Sequence, residues 1–203
     1  MKALYVTDRS AIGDSRFEAV LASLGGAPGL AVLLREKGSA DRDTLRRAQA
    51  AREALGPGVP LLVSARLDVA LAAEASGVHL PANGLPLARV RAAAPRGFLV
   101  GVSTHSPAEA AQAIEAGADV VVIGPIFDTP SKRSFGAPLG TGALDALPAR
   151  EEDSTDVYAI GGIGEAELER LAPYRDRIAG VAAVRLFQES SDPRAAVERI
   201  GSL

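Results

Sequence analysis

The sequence predicts an α/β protein folded as a single (β/α)₈ barrel over residues 1–203, and three observations carry that prediction. Short apolar runs rich in Val, Ile and Leu alternate with helix-periodic stretches along the whole chain, eight of each. A helix–Gly–strand boundary recurs at Gly77, Gly117 and Gly180. The first strand–helix turn lacks the glycine fingerprint of dinucleotide-binding folds, which sets a doubly wound open sheet second.

The elements follow in order. Residues 2–7 read as a strand, followed by polar Asp8, Arg9 and Ser10. Residues 15–24 have helical spacing, with Phe17, Val20, Leu21 and Leu24 on one face. Leu30–Leu34 is the second strand, and Asp41–Leu55 a helix of alternating charge stopped by Gly56-Pro57-Gly58. Strand 60–64 precedes helix 67–75, and strand Gly77–Leu80 precedes helix 85–94. Strand 98–102 leads to Ser106, which opens a helix in capping-box form, with Pro107 first and Glu109 reaching back. Strand 119–123 ends at Gly124, and a short helix is expected over 139–147. Strand Asp156–Ile160, helix Glu165–Leu171, strand 180–184 and a helix from Asp192 to Ile200 complete the series.

Composition excludes several classes. The chain is 47% apolar with net charge −3, so nucleic-acid binding by bulk charge is not expected. It has no cysteine and two histidines, which rules out disulfides, thiolate chemistry and a three-histidine metal site. No apolar run is long enough to span a membrane, and the N-terminus has no signal-peptide layout, so a cytoplasmic protein is expected. A homodimer stays open.

In a barrel the chemistry sits where the strands end. Read in that way, Asp8, Arg9, Arg35, Lys37, Ser64, His79, Ser103, His105, Thr129, Ser131, Lys132, Gly161, Gly162 and Arg185 form one ring. Five of these side chains are cationic in an acidic protein, which suits a phosphorylated small molecule. Strand alternation puts Arg35 and Lys37 on one side and Glu36 on the other. The loop 124–140 joins two hydroxyls, Thr129 and Ser131, to the cations Lys132 and Arg133, a set fit for phosphate or diphosphate; the plain alternative is a polar surface loop. Gly161 and Gly162, before a helix, let backbone N–H groups approach a phosphate. Of the histidines, His105 reads as a loop-orienting group and His79 as an acid–base candidate.

Five motifs occur in series: Leu4-Tyr-Val-Thr-Asp-Arg9, Leu34-Arg-Glu-Lys-Gly38, Gly101-Val-Ser-Thr-His105, Gly124-Pro-Ile-Phe-Asp-Thr-Pro-Ser-Lys132 and Ile160-Gly-Gly-Ile163. Together they resemble the thiamine phosphate synthase family, which includes the TenI-like thiazole tautomerases. The resemblance implies a (β/α)₈ barrel. It implies that Arg35, Lys37, Ser103 and Lys132 hold a diphosphate, and that Thr129, Ser131 and the backbones of Gly161, Gly162, Val184 and Arg185 hold a thiazole phosphate. Synthases of the family join a pyrimidine diphosphate to the thiazole phosphate with Mg²⁺ assistance. Here their Asn-Asp pair after the third strand is Ser64-Ala65, their second acid after the fourth strand is missing from 80–85, and their strand-two Gln is Leu33. The histidine of the best-known tautomerase, directly after the sixth-strand glycine, is Pro125. The expectation is therefore a TenI-like protein without a metal cofactor, with His79 as proton shuttle and Lys132 as the catalytic cation. A divergent Mg²⁺-dependent synthase and a non-catalytic regulator are the alternatives.

Overall fold

The computed structural model describes residues 2–129, 136–151 and 155–203. Its strands are β1 (Lys2–Val6), β2 (Leu30–Leu34), β3 (Leu61–Ser64), β4 (Gly77–Leu80), β5 (Leu99–Thr104), β6 (Val120–Ile123), β7 (Asp156–Ile160) and β8 (Gly180–Ala183). All neighbours pair in parallel in chain order, and β8 pairs with β1, so the barrel closes. The helices are α1 (Arg9–Ile12), α2 (Asp14–Ser23), α3 (Asp41–Leu55), α4 (Leu67–Ala72), α5 (Leu87–Ala93), α6 (Pro107–Glu115), α7 (Glu165–Leu171), α8 (Arg185–Gln188) and α9 (Pro193–Gly201). Among the described residues no helix is long and apolar enough to cross a membrane.

Strand alternation splits the core in two. Leu4, Val6, Leu33, Leu62, Val120, Val122, Tyr158 and Ala182 fill the barrel interior. Tyr5, Val32, Leu34, Val63, Val78 and Val121 face the helices and pack on residues such as Phe17, Leu21, Ala48 and Leu168. Interior positions one step further along the strands leave this apolar plug and reach the C-terminal mouth. Arg35, Ser64 and Ser103 stand there, half-buried.

Four elements differ most from the sequence reading. The helix expected over 139–147 is a single 3₁₀ stretch, Thr141–Ala146. Gly140 precedes it at φ 73, Gly142 lies inside it, and Leu147 is extended ahead of Pro148. Two short helices were not anticipated, α1 and α8, each four residues long. One turn is too short to show a helical period. The fifth strand starts at Leu99 and runs on to Thr104, because Phe98 closes a turn, its N–H donating to Pro95 O.

Candidate active site at the barrel mouth

Glu36 decides where the cations of the second strand end go. Its side chain is 2% exposed and turned away from the mouth, where Arg9 Nε reaches Oε2 at 3.2 Å and Arg47 Nη1 reaches it at 3.4 Å. The Ser39 hydroxyl donates to the same oxygen. With its neighbour so occupied, Arg35 has among the described residues only a loose ion pair, 3.8 Å to Asp8, and is 30% exposed. The Arg35 N–H donates to the buried Thr7 hydroxyl, which fixes the strand exit. Lys37 is exposed, and among the described residues neither it nor Arg185 forms an ion pair. Arg9 and Arg66 are spent on carboxylates. Among the described residues at the strand ends, the positive charge without a close carboxylate is thus Arg35, Lys37 and Arg185, at the ends of β2 and β8 that flank β1.

Across the barrel, β3, β4 and β5 place Ser64 opposite His79 and His79 opposite Gly101. His79 lies between Val78 and Leu80, which face the helices, so its ring enters the barrel. It is 3% exposed. Nε2 stands 2.9 Å from Ser103 Oγ, and Nδ1 has no hydrogen-bond partner among the described residues. Burial pulls the imidazole down to about 4, so it is neutral at physiological pH. The unfolded chain then takes up this proton before the folded one does. The stability held by neutral His79 is complete above about pH 6.5 and lost as pH falls towards about 4. Denaturant titrations at about pH 7.5 and about pH 5 are expected to differ by about 2 kcal/mol in the wild type, and by clearly less in His79→Gln. Equal differences in both proteins would show that other groups carry the acid sensitivity.

His105 is built differently. It is exposed, and its Nδ1–H donates to the carbonyl of Gly124 at 2.8 Å. Its own N–H donates to Glu109 Oε2, while the Glu109 N–H donates to Ser106 Oγ, so Ser106 caps α6 as expected but the Glu109 carboxylate reaches one residue further back than a capping box would. His105 therefore ties the end of β5 to the root of the loop after β6.

That loop continues beside the exit of β7. The N–H groups of Ile126 and Phe127 donate to the carbonyls of Ile160 and Gly161, and its return limb closes with Leu139 N–H to Pro125 O and Gly140 N–H to Ile126 O. The two exits touch so closely that neither glycine admits a side chain. A Cβ on Gly161 would lie 2.5 Å from Pro125 Cβ, and one on Gly162 would lie 2.4 Å from the Asp128 carbonyl oxygen. Both residues also have positive φ, 103° and 65°. Thr129, directly after Asp128, is half-buried beside this corner. The expected ligands Ser131 and Lys132 lie outside the described residues. Val184 is half-buried at the end of β8, its carbonyl accepting from Phe187 and Gln188.

The structure thus gathers Thr129, Gly161 and Gly162 into one corner. Arg35, Lys37 and Arg185 flank β1, and Ser103 stands with His79 on the opposite wall. Sequence reasoning missed three supports. Gln188, 3% exposed, exchanges both amide groups with the backbone of Asp8 and so pins the exit of β1. Glu36 was placed on the far side without its role as counter-ion to two arginines. Gly101 makes room for the His79 ring, a Cβ there falling 2.4 Å from Nδ1; a lone glycine inside a strand is the signal that was available.

Comparison with known proteins agrees with this arrangement. The family model described as thiamine monophosphate synthase matches residues 3–187. The thiamine-phosphate synthase of Methanoculleus marisnigri is 42% identical over 184 residues, covering 89% of this chain and 86% of its own. That of Chloroflexus aurantiacus is 36% identical over 204 residues, covering 98% and 91%. The solved thiamine phosphate pyrophosphorylase from Pyrococcus furiosus superimposes with a TM-score of 0.82 at 25% identity, covering 99% of this chain and 94% of that one. With sequence and fold agreeing over nearly its whole length, the chain belongs to the thiamine monophosphate synthase family.

Proposed function

We propose that the chain is a transferase of thiamine phosphate synthase type, which joins a pyrimidine diphosphate to a thiazole phosphate and releases diphosphate. The relatives carry that name, which favours this reading over the tautomerase expected from the sequence. The observation that carries it at the site is the set of uncommitted cations, Arg35, Lys37 and Arg185, at a mouth that also holds Ser103 and the Gly161–Gly162 corner. In the reaction the C–O bond between the pyrimidine methylene and the diphosphate breaks, its electron pair leaving with the diphosphate. The thiazole nitrogen forms the new C–N bond. Arg35, Lys37, Ser103 and Lys132 would receive the charge that develops on the leaving oxygen. The glycine corner, Thr129, Ser131 and the Val184–Arg185 backbone would orient the thiazole phosphate.

The Mg²⁺ used by synthases of the family does not fit the donors present. Ser64 ends β3 and Ala65 follows it, and residues 80–85 contain no carboxylate. Asp8 accepts from the Ser10 hydroxyl, and Asp68 is gripped by Arg66 at 2.8 Å, which holds its carboxyl down to about 2. Among the described residues no group of three His, Asp or Glu is placed to hold a metal. Thermal unfolding of the free protein is expected to be unchanged by Mg²⁺; a rise in Tm at low metal concentration, with a metal seen on Asp8, Asp68 or Asp128, would contradict this.

The same lack of carboxylates favours a second reading, a metal-independent TenI-like isomerisation of a thiazole phosphate. One assay separates them. Purified protein is given pyrimidine diphosphate and thiazole phosphate, with and without Mg²⁺. Formation of thiamine phosphate supports the transferase. Its absence under both conditions, with interconversion of thiazole tautomers in a parallel assay, supports the isomerase.

A further inference from the structure

We propose that His79 is a positioning residue, a fixed N–H donor that turns the Ser103 hydroxyl into a committed donor for a phosphate or diphosphate oxygen; this rests on the mouth being a phosphate site. It replaces the proton-shuttle role expected for His79 from the sequence. The ring is enclosed by the barrel wall, 3% exposed, and among the described residues its one hydrogen-bond partner is Ser103 Oγ at 2.9 Å. The other nitrogen, Nδ1, has no partner and lies over the Cα of Gly101, where even a methyl group would come within 2.4 Å.

Two neutral tautomers are available to such a ring. With the proton on Nδ1, an N–H would point at Gly101 with nothing to accept it, and buried orphan donors are rare. With the proton on Nε2, the N–H donates to Ser103 Oγ, and only a lone pair is left against Gly101. The second arrangement strands the less demanding group. Its consequence falls on Ser103. Once Oγ accepts from His79, the serine proton is free to be directed elsewhere, and Ser103 is half-buried at the mouth. A phosphate oxygen only accepts, so a hydroxyl whose accepting side is already engaged is preset for it. The strong depression of the His79 pKa keeps the ring neutral and the arrangement constant across neutral pH.

The test uses inorganic diphosphate as the probe, titrated calorimetrically into wild type, Ser103→Ala, His79→Leu, His79→Gln and the double variant Ser103→Ala/His79→Leu. Both single losses are expected to weaken diphosphate by a similar factor, roughly tenfold. The double variant should lose no more than either, and His79→Gln, which can return an N–H to the same oxygen, should stay within about threefold of wild type. Unchanged binding in His79→Leu, or losses that add in the double variant, would overturn the proposal while leaving the phosphate site intact. A wild type that does not bind diphosphate would overturn both. Should His79→Leu fail to fold, the imidazole ¹⁵N spectrum of the wild type decides: protonated Nε2 with bare Nδ1 is expected, and the opposite tautomer refutes it.

Discussion

Gly162→Ala is expected to destabilise the protein by about 2–4 kcal/mol and to remove most of its affinity for thiazole phosphate. Two separate penalties act at this position. The backbone sits at φ 65°, where a side chain costs about 1–2 kcal/mol. The new methyl would also lie 2.4 Å from the Asp128 carbonyl oxygen and 2.9 Å from Phe127 C, which are backbone atoms that cannot step aside alone. Relief requires the β6 and β7 exits to part, breaking the hydrogen bond from Phe127 N–H to Gly161 O. Gly26→Ala isolates the first penalty, since Gly26 has φ 66° and nothing within 4 Å of the added carbon; about 1–2 kcal/mol is expected there, with ligand binding untouched. Urea denaturation and calorimetry on both variants check the contrast. If Gly162→Ala behaves like Gly26→Ala in both, the corner is not the tight phosphate cradle described.

Lys132→Ala is expected to weaken a phosphorylated ligand by about 1.5–3 kcal/mol, or roughly tenfold to more than a hundredfold, and to leave a dephosphorylated ligand nearly unaffected. The lysine lies outside the described residues, so the expectation rests on its place in the chain. The loop that carries it leaves the mouth beside Gly162 and returns through Leu139 and Gly140, both ends being anchored by backbone hydrogen bonds. Thr129 marks the end of the outgoing limb, at the corner, and three residues further on Lys132 can bring a full charge to the same oxygens. Paired titrations of wild type and variant with thiazole phosphate and thiazole alcohol measure the difference. Stability is expected to change by no more than about 0.5 kcal/mol. A variant that binds the phosphate as tightly as wild type would take the loop out of the site.

The barrel was legible because its signal is periodic. Runs such as Val120–Ile123 and Leu30–Leu34 are buried on both faces and read as continuous apolar strands, and glycine marks their starts at Gly77 and Gly180. The Ser106 cap was legible because its partners lie three residues apart. What failed was local structure shorter than a period, namely α1 and α8, and the 3₁₀ stretch after β6, where glycines defeat an apolar pattern that suggests a full helix. At the site, the ring of strand-end residues could be read because the fold alone puts them on one face. Their pairings could not. That His79 meets Ser103 across 24 positions, or that Glu36 takes Arg9 away from the mouth, depends on neighbouring strands and helices. The choice between transferase and isomerase turned on different features. The missing acids of 64–65 and 80–85 point one way and the named relatives the other.

The central claim is that the mouth recognises a phosphorylated thiazole through its phosphate. Calorimetric titration of the wild-type protein with thiazole phosphate and, separately, with the thiazole alcohol tests it without any variant or turnover. Phosphate bound by Lys132 and the glycine corner predicts that the phosphate ester binds at least about tenfold more tightly than the alcohol, with the advantage shrinking as salt is raised. Equal affinity for the two compounds, or no binding of the ester at all, would contradict the account.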